Sequence, residues 1–118
     1  MEATLVYETG ILKMNTSPAD LSAGEVRVVG NRIGVVYDPD GVDTGDPYTL
    51  ITAGIFTMAA KSSDSWSDGD LLYWDDTNNY LTTTSTSNTP AGLAVWDKAA
   101  SAISARCDIN ASVASRTV

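Results

Sequence analysis

Residues 103–110, Ile-Ser-Ala-Arg-Cys-Asp-Ile-Asn, show the cleanest alternation of apolar and polar side chains in the sequence. A period of two residues is that of a half-buried β-strand, because successive side chains of a strand point to opposite faces. The predicted inner face carries Ile103, Ala105, Cys107 and Ile109. The predicted water-facing side carries Ser104, Arg106, Asp108 and Asn110. We therefore expect this segment to be a strand that covers a core on one side only.

Two stretches upstream predict β-hairpins, over residues 26–37 and 70–83. In the first, Gly30-Asn31 separates two runs rich in valine and isoleucine, as in a tight two-residue turn. In the second, residues 75–79 form a polar five-residue loop between two apolar runs. Antiparallel pairing of neighbouring segments is therefore expected in both halves of the chain.

The remaining segments also predict strands and turns. Residues 48–59 indicate one long strand with Gly54 in its middle as a bulge or a close backbone approach. Residues 93–96 indicate a short strand, and residues 38–47 an exposed loop. No window of a dozen residues has apolar residues at helix spacing without Gly, Pro or a cluster of Thr intervening. Eight or nine short strands predict an all-β fold, a compact β-sandwich or small β-barrel with an extended N-terminal arm.

The length of 118 residues and a hydrophobic content of 43% are typical of one globular domain. We expect residues 1–20 to form the N-terminal arm, either as part of the same domain or as a binding extension. Residues 21–110 are predicted to be the β domain and residues 111–118 a flexible C-terminal tail. The start of the sequence lacks the features of a signal peptide, and Cys107 is the single cysteine, so we expect folding in the cytosol.

Charge and composition exclude several classes of function. Fifteen acidic and seven basic residues give a net charge of −8, which disfavours nucleic acid and membranes as partners. The sequence has no histidine, which removes Ser-His and Cys-His nucleophile activation and the commonest zinc ligand. No glycine-rich phosphate loop is present. Binding to other protein is therefore favoured over catalysis.

The aspartates are the remaining candidates for chemistry. One group resembles a calcium loop, but its glycine is at the wrong position and Thr49 stands where the bidentate Glu of an EF-hand is needed. This group is Asp38, Asp40, Asp43 and Asp46. A second group, Asp64, Asp68, Asp70, Asp75 and Asp76, occupies turn positions that favour Asp for backbone reasons. We predict no catalytic residue, no metal site and no cofactor, and we expect Cys107 to be an inert core residue.

Aromatic side chains are the better candidates for a binding surface, because they are enriched at the centres of protein interfaces. Trp66 lies in a polar connection and is the predicted interface residue. Core packing is expected instead for Tyr73, Trp74 and Trp96, which lie on predicted strands.

A weak internal repeat is also visible. Residues 22–26, Ser-Ala-Gly-Glu-Val, are echoed by residues 67–71, Ser-Asp-Gly-Asp-Leu. Two copies are too few for a solenoid, so we interpret them as equivalent hairpin corners.

The order of these motifs resembles the capsid cement or decoration proteins of the head-fibre type in tailed phages and prophages. The resemblance covers about residues 3 to 110 and rests on motifs in the family's order: Ser22 to Val26, Val29-Gly30-Asn31, Ile33-Gly34-Val35, Ala53 to Phe56, Gly69 to Asp75 and Pro90 to Ala94. Residues 57–61, Thr-Met-Ala-Ala-Lys, depart from the family's usual Leu-Pro-Lys after its central strand, which affects one turn.

The resemblance implies a non-enzymatic protein that binds the major capsid protein on the outer surface of the virion and stabilises the head. It also implies a symmetric homo-oligomer, for which a homotrimer is favoured and a dimer is the alternative, made in the host bacterial cytoplasm. The arm supplies candidate contacts to the capsid or between subunits, by addition of a strand to a neighbouring sheet. These candidates are Leu5, Val6, Tyr7, Ile11 and Leu12. A small tail or head-fibre module that binds a host surface ligand through Trp66 is the other functional hypothesis.

Overall fold

The computed structural model describes residues 10–111 and contains nine β-strands in that range. They are β1 (Ile11–Met14), β2 (Val26–Val29), β3 (Arg32–Val36), β4 (Tyr48–Ile51), β5 (Gly54–Ala59), β6 (Leu71–Asp75), β7 (Tyr80–Thr82), β8 (Thr89–Val95) and β9 (Ser104–Ile109). Within those residues, no helix is long and apolar enough to cross a membrane. The predicted all-β fold is confirmed.

The strands form two antiparallel sheets, one of four strands in the order β1-β4-β3-β2 and one of five in the order β5-β9-β8-β6-β7. Ile33 and Val35 on β3 pack against side chains of the five-stranded sheet, among them Met58, Leu72 and Trp74. This shared core joins the sheets as a β-sandwich, in which each sheet buries one face against the other.

A second, smaller core lies within the four-stranded sheet and its loop. Val36, Tyr48 and Leu50 pack there with Leu21 and Val42. The backbones of Leu21 and Val42 exchange hydrogen bonds of 2.8 Å, which hold the turn-rich segment 38–47 against the sheet. This loop therefore packs against the smaller core through Val42.

Both predicted hairpins are present. Val29 pairs with Arg32 across Gly30-Asn31, and Gly30 has a φ of +62°, as the first central residue of a type II′ turn requires. In the second hairpin Asp75 pairs with Tyr80, so the loop has four residues and not the predicted five.

The prediction of one long strand over residues 48–59 is wrong. β4 ends at Ile51 in the four-stranded sheet, and β5 begins at Gly54 in the five-stranded sheet. The chain crosses from one sheet to the other at residues 52–53, and Gly54 has a φ of +126°. Gly54 therefore marks the crossing, where the backbone needs a conformation that other residues disfavour.

The alternation that predicts the last strand is correct for most of its length. Cys107 and Ile109 are buried and Ala105 is half-buried against the core. Ile103 is 73% exposed, contrary to the prediction, because β9 begins only at Ser104. The inward face of this strand is thus shorter by one residue at its start.

Asn110 is also placed differently from the prediction, which had it facing water. Its φ is +60°, and its side chain reaches the other sheet. Asn110 Oδ1 accepts from the Ile33 N–H at 3.1 Å, while Nδ2 donates to the carbonyls of Ile33 and Thr52, both at 2.8 Å. Three hydrogen bonds therefore link the end of β9 to the four-stranded sheet.

The predicted arm, residues 1–20, contains a strand of the β domain, since β1 pairs with β4 along its whole length. Leu12 and Met14 pack against the smaller core. Residues 1–9 lie outside the described residues, as do residues 112–118 of the predicted tail.

Candidate docking surfaces

The candidate carboxylates are engaged in turn structure. Asp75 accepts hydrogen bonds from the Asn78 side chain at 2.9 Å and from the N–H groups of Asn78 and Thr77, both at 3.0 Å. The Asn78 side-chain bond is the largest cause of a pKa below the ordinary value for this carboxyl. A carboxylate held in this way stays ionised and orders its own loop.

Asp64 has a comparable role at the end of β7. Burial acts to raise its pKa, but hydrogen bonds from the Thr82 hydroxyl at 2.6 Å and the Thr83 N–H at 3.1 Å outweigh burial and lower it. Asp70 accepts from the Ser67 N–H, and Asp76 accepts from the Trp74 indole. These acids act as local hydrogen-bond acceptors that order their own turns.

The calcium-loop candidates are similarly dispersed. Asp38 accepts from the Thr49 N–H at 3.0 Å, which places its carboxylate at the start of β4. Across residues 10–111 no group of three or more acidic or cysteine side chains is arranged to hold a metal ion.

Cys107 lies in the main core with no exposed surface. Burial, and then the nearby Asp108, raise the pKa of the thiol to about 12. A thiol with this pKa carries almost no nucleophilic thiolate at neutral pH.

Trp66 is not a surface residue, so the prediction that its ring is exposed for binding is wrong. Its side chain is 6% exposed and belongs to the main core. Trp66 and Lys98 exchange backbone hydrogen bonds, and the Lys98 ammonium lies 5.1 Å from the centre of the indole ring. The polar segment around Trp66 folds back against the loop after β8, a long-range contact that local sequence does not reveal.

Lys98 is itself buried and donates its ammonium hydrogens to the backbone carbonyls of Asp64 and Ala99. This satisfied cation above the Trp66 ring stabilises the loop and leaves neither side chain available to a partner.

Trp96 shows the opposite error. Core packing is predicted for both Trp74 and Trp96. Trp74 is buried, with 4% of its surface exposed, whereas Trp96 is 62% exposed. A continued strand would turn Trp96 inward like Ala94. Instead β8 ends at Val95 and Trp96 has a φ of +75°, which turns its ring outward to lie 3.9 Å from the Arg106 guanidinium.

Other exposed apolar side chains lie on the same side of the five-stranded sheet as this ring. Leu71 pairs with Leu93, Leu93 with Asp108 and Asp108 with Ile55, so these positions form a row across four strands. Ile55 is 60% and Leu71 48% exposed. We call the outer surface formed by Ile55, Leu71, Val95, Trp96 and Arg106 the Trp96 face.

A second surface is the free side of β1, an edge strand of the four-stranded sheet within residues 10–111. Thr52 N–H donates to the Gly10 carbonyl at 2.8 Å. Because antiparallel pairing alternates, this bond fixes Ile11 and Lys13 as the residues whose backbone N–H and C=O point away from β4. We call these outward groups the β1 edge.

A profile of one protein family matches residues 7–109, nearly the whole chain, and its description is phage cement protein. The chain belongs to the phage cement protein family. The resemblance seen in the sequence is confirmed. No curated protein and no solved structure matches the chain.

Membership makes this cement protein a structural, capsid-associated component of the bacteriophage virion, from a family that is not an enzyme family. Of its predicted interface residues, Ile11 and Leu12 lie on β1, with Leu12 half-buried and Ile11 exposed. Leu5, Val6 and Tyr7 lie outside the described residues. The β1 edge and the Trp96 face are the two candidate surfaces considered below, both within residues 10–111.

Proposed function

We propose that this cement protein binds the outer surface of the mature phage head as a symmetric homotrimer and contacts the major capsid protein. It is made in the cytoplasm of the bacterial host and stabilises the assembled lattice by mass action, because it binds the lattice and not separate capsid subunits. The observation that carries this proposal is the match to the phage cement family over residues 7–109.

The β1 edge supports a specific mode of attachment. An edge strand offers unpaired backbone donors and acceptors to a strand of another chain, and charged or short edges normally limit such pairing. Ile11 and Lys13 supply these groups. We infer that β1 and the preceding residues Leu5, Val6 and Tyr7 add to a sheet of the capsid protein.

The test compares variants in co-sedimentation with undecorated capsids. Lys13→Pro removes an outward N–H without removing a bond to β4, whereas Lys13→Ala removes the side chain and keeps the N–H. We expect Lys13→Pro and deletion of residues 1–9 to lose capsid binding, and Lys13→Ala to retain it. Equal binding by Lys13→Pro and Lys13→Ala would contradict the strand-addition mode.

The deletion must stop before Gly10. Removing residues 1–14 would take away β1, including Leu12 and Met14, which cover the smaller core, and would therefore destabilise the fold. Light scattering on the same sample measures the oligomer. A monomer that stays in the supernatant would contradict the cement role and favour a module that binds a host surface ligand.

A further inference from the structure

Trp96 combines strong exposure with an unusual backbone conformation. Its φ of +75° lies in the left-handed region, which is unfavourable for a bulky side chain. The conformation is held by Asp68, whose Oδ1 accepts from the Trp96 N–H at 2.6 Å. Asp68 is fixed in turn, since its own N–H donates to Asp97 Oδ1 at 2.8 Å. The hydrogen bonds of Asp68 therefore hold the Trp96 backbone in an unfavourable conformation that turns its side chain outward.

The Trp96 ring is also held on one side. The Arg106 guanidinium stacks on it at 3.9 Å, yet 62% of Trp96 remains exposed. A stacked indole loses little further conformational entropy when a partner covers it, which favours tight binding. Strain kept in a native structure is concentrated at sites that bind or act, because stability alone would not select it.

The surroundings of the ring have the composition of an interface centre. Ile55 and Leu71 add exposed apolar surface on the same face, and Trp and Arg are the residues that most often dominate binding energy. The Trp96 face thus combines a rigid aromatic anchor with two exposed apolar side chains, Ile55 and Leu71, which are separated in their row by the buried Leu93 and the half-buried Asp108.

We propose that the Trp96 face is a second contact with the major capsid protein, made beside the strand-addition contact; this inference rests on the cement function proposed above. The position of Gly10, directly before β1, supports it. A Cβ placed on Gly10 would lie 3.5 Å from Ala53 Cβ, and Ala53 is two residues before Ile55. The start of β1 is therefore near the border of the Trp96 face, so one capsid surface can meet both the β1 edge and the Trp96 face.

Charge indicates which partner covers the face. Arg106 brings one positive charge to the face, but the carboxylates of Asp68 and Asp97 border Trp96 and Asp108 lies in the row between Leu93 and Ile55. The whole chain carries a net charge of −8. A second copy would bring the same negative charge to the contact, whereas a capsid surface with Lys or Arg around an apolar pocket complements it.

The experiment measures capsid affinity and melting temperature for matched variants. Trp96→Gly removes the ring and relieves the left-handed backbone, and Arg106→Lys keeps the charge but loses the planar stack. Tyr37→Ala is the control, because Tyr37 is 67% exposed and lies at the end of β3 in the other sheet. We expect Trp96→Gly to weaken binding roughly thirtyfold, the loss typical of a hot-spot residue, with an unchanged or raised melting temperature. Arg106→Lys should weaken binding less, and Tyr37→Ala should bind as the wild type does.

Each other result overturns the inference in a distinguishable way. Wild-type affinity of Trp96→Gly would show that the Trp96 face lies outside the capsid contact while the cement function stands. A fall in oligomeric mass of Trp96→Gly in light scattering would assign the face to a second copy. Failure of the wild-type protein to bind capsids would remove the proposed function itself.

Discussion

Replacing Asn110 tests how much one side chain adds to the contact between the two sheets, which also share a hydrophobic core. Asn110 makes three hydrogen bonds to the four-stranded sheet, two with the backbone of Ile33 and one with the carbonyl of Thr52. Its φ of +60° is a conformation that Asn tolerates and Gly adopts without cost. Asn110→Gly therefore removes the hydrogen bonds and leaves the backbone unstrained.

The expected loss follows from the number of bonds. A buried or half-buried hydrogen bond contributes about 1 kcal/mol net, so Asn110→Gly should lower the free energy of unfolding by about 3 kcal/mol. Asn110→Ala should lose about 1 kcal/mol more, because its Cβ is unfavourable in the left-handed region. Since a domain is stable by only about 5–15 kcal/mol, either loss is a large share of the total.

Asn110→Asp isolates the role of the amide donor. It keeps the size and the acceptor, but its carboxylate would face the carbonyls of Ile33 and Thr52, to which Asn110 Nδ2 now donates. Urea unfolding followed by tryptophan fluorescence measures all three variants, and Asn110→Asp should be the least stable at pH 7. An Asn110→Gly protein within about 0.5 kcal/mol of wild type would refute the link between the sheets.

Three further measurements test other parts of the structure. Gly92→Ala should unfold the protein or lower the free energy of unfolding by more than about 4 kcal/mol, because its Cβ would lie 2.1 Å from the Asp108 carbonyl oxygen. The control is Gly24→Ala, which has open space around its Cβ and should lower the free energy of unfolding by about 1 kcal/mol in the same urea assay. Asp64 has a lowered pKa in the folded state, so its contribution to stability is present above the ordinary pKa of 3.8 and is lost as pH falls below that value. In Asp64→Asn, the free energy of unfolding should therefore fall less steeply as the pH is lowered through this range. Cys107, with a pKa of about 12, should resist iodoacetamide at pH 8 while the protein is folded and react once urea unfolds it, and rapid labelling of the folded protein would contradict its burial.

The strands could be predicted from sequence because their causes are local. Alternation along residues 104–109 and the turn at Gly30-Asn31 depend on neighbouring residues only, and both are present as expected. Which sheet a strand joins is a tertiary property. Residues 48–59 have continuous strand propensity, so the crossing at residues 52–53 could not be distinguished from a bulge.

The candidate surface was less predictable for the same reason. Trp66 is buried by Lys98, which is 32 residues away, and Trp96 is turned outward by a hydrogen bond to Asp68, 28 residues away. Sequence reasoning assigned these two tryptophans by the polarity of their own segments, and both assignments are reversed in the structure. A tryptophan directly followed by an aspartate did not distinguish the two cases, because Trp74-Asp75 has the same pattern and stays in β6 with Trp74 buried.

The two repeated turns, residues 22–26 and 67–71, show which features of a strand depend on neighbouring residues and which depend on distant ones. In residues 22–26 the Ser22 N–H donates to the Glu25 side chain at 3.1 Å, and in residues 67–71 the Ser67 N–H donates to the Asp70 side chain at 2.9 Å. In both segments the backbone N–H of the acidic residue donates back to the serine carbonyl. The Gly24 N–H donates to the Val36 carbonyl in the first corner, and the Gly69 N–H donates to the Ala94 carbonyl in the second. The prediction of equivalent corners is confirmed, but only the first belongs to a simple hairpin, because β7 is inserted between β6 and β8 in the chain. The short motif fixes how a strand begins, while its partner is chosen by the packing of the whole sheet. The second corner also carries Asp68, which accepts the hydrogen bond from the Trp96 N–H, so the same local turn that starts a strand in both halves also holds the exposed tryptophan of the proposed binding surface in one of them.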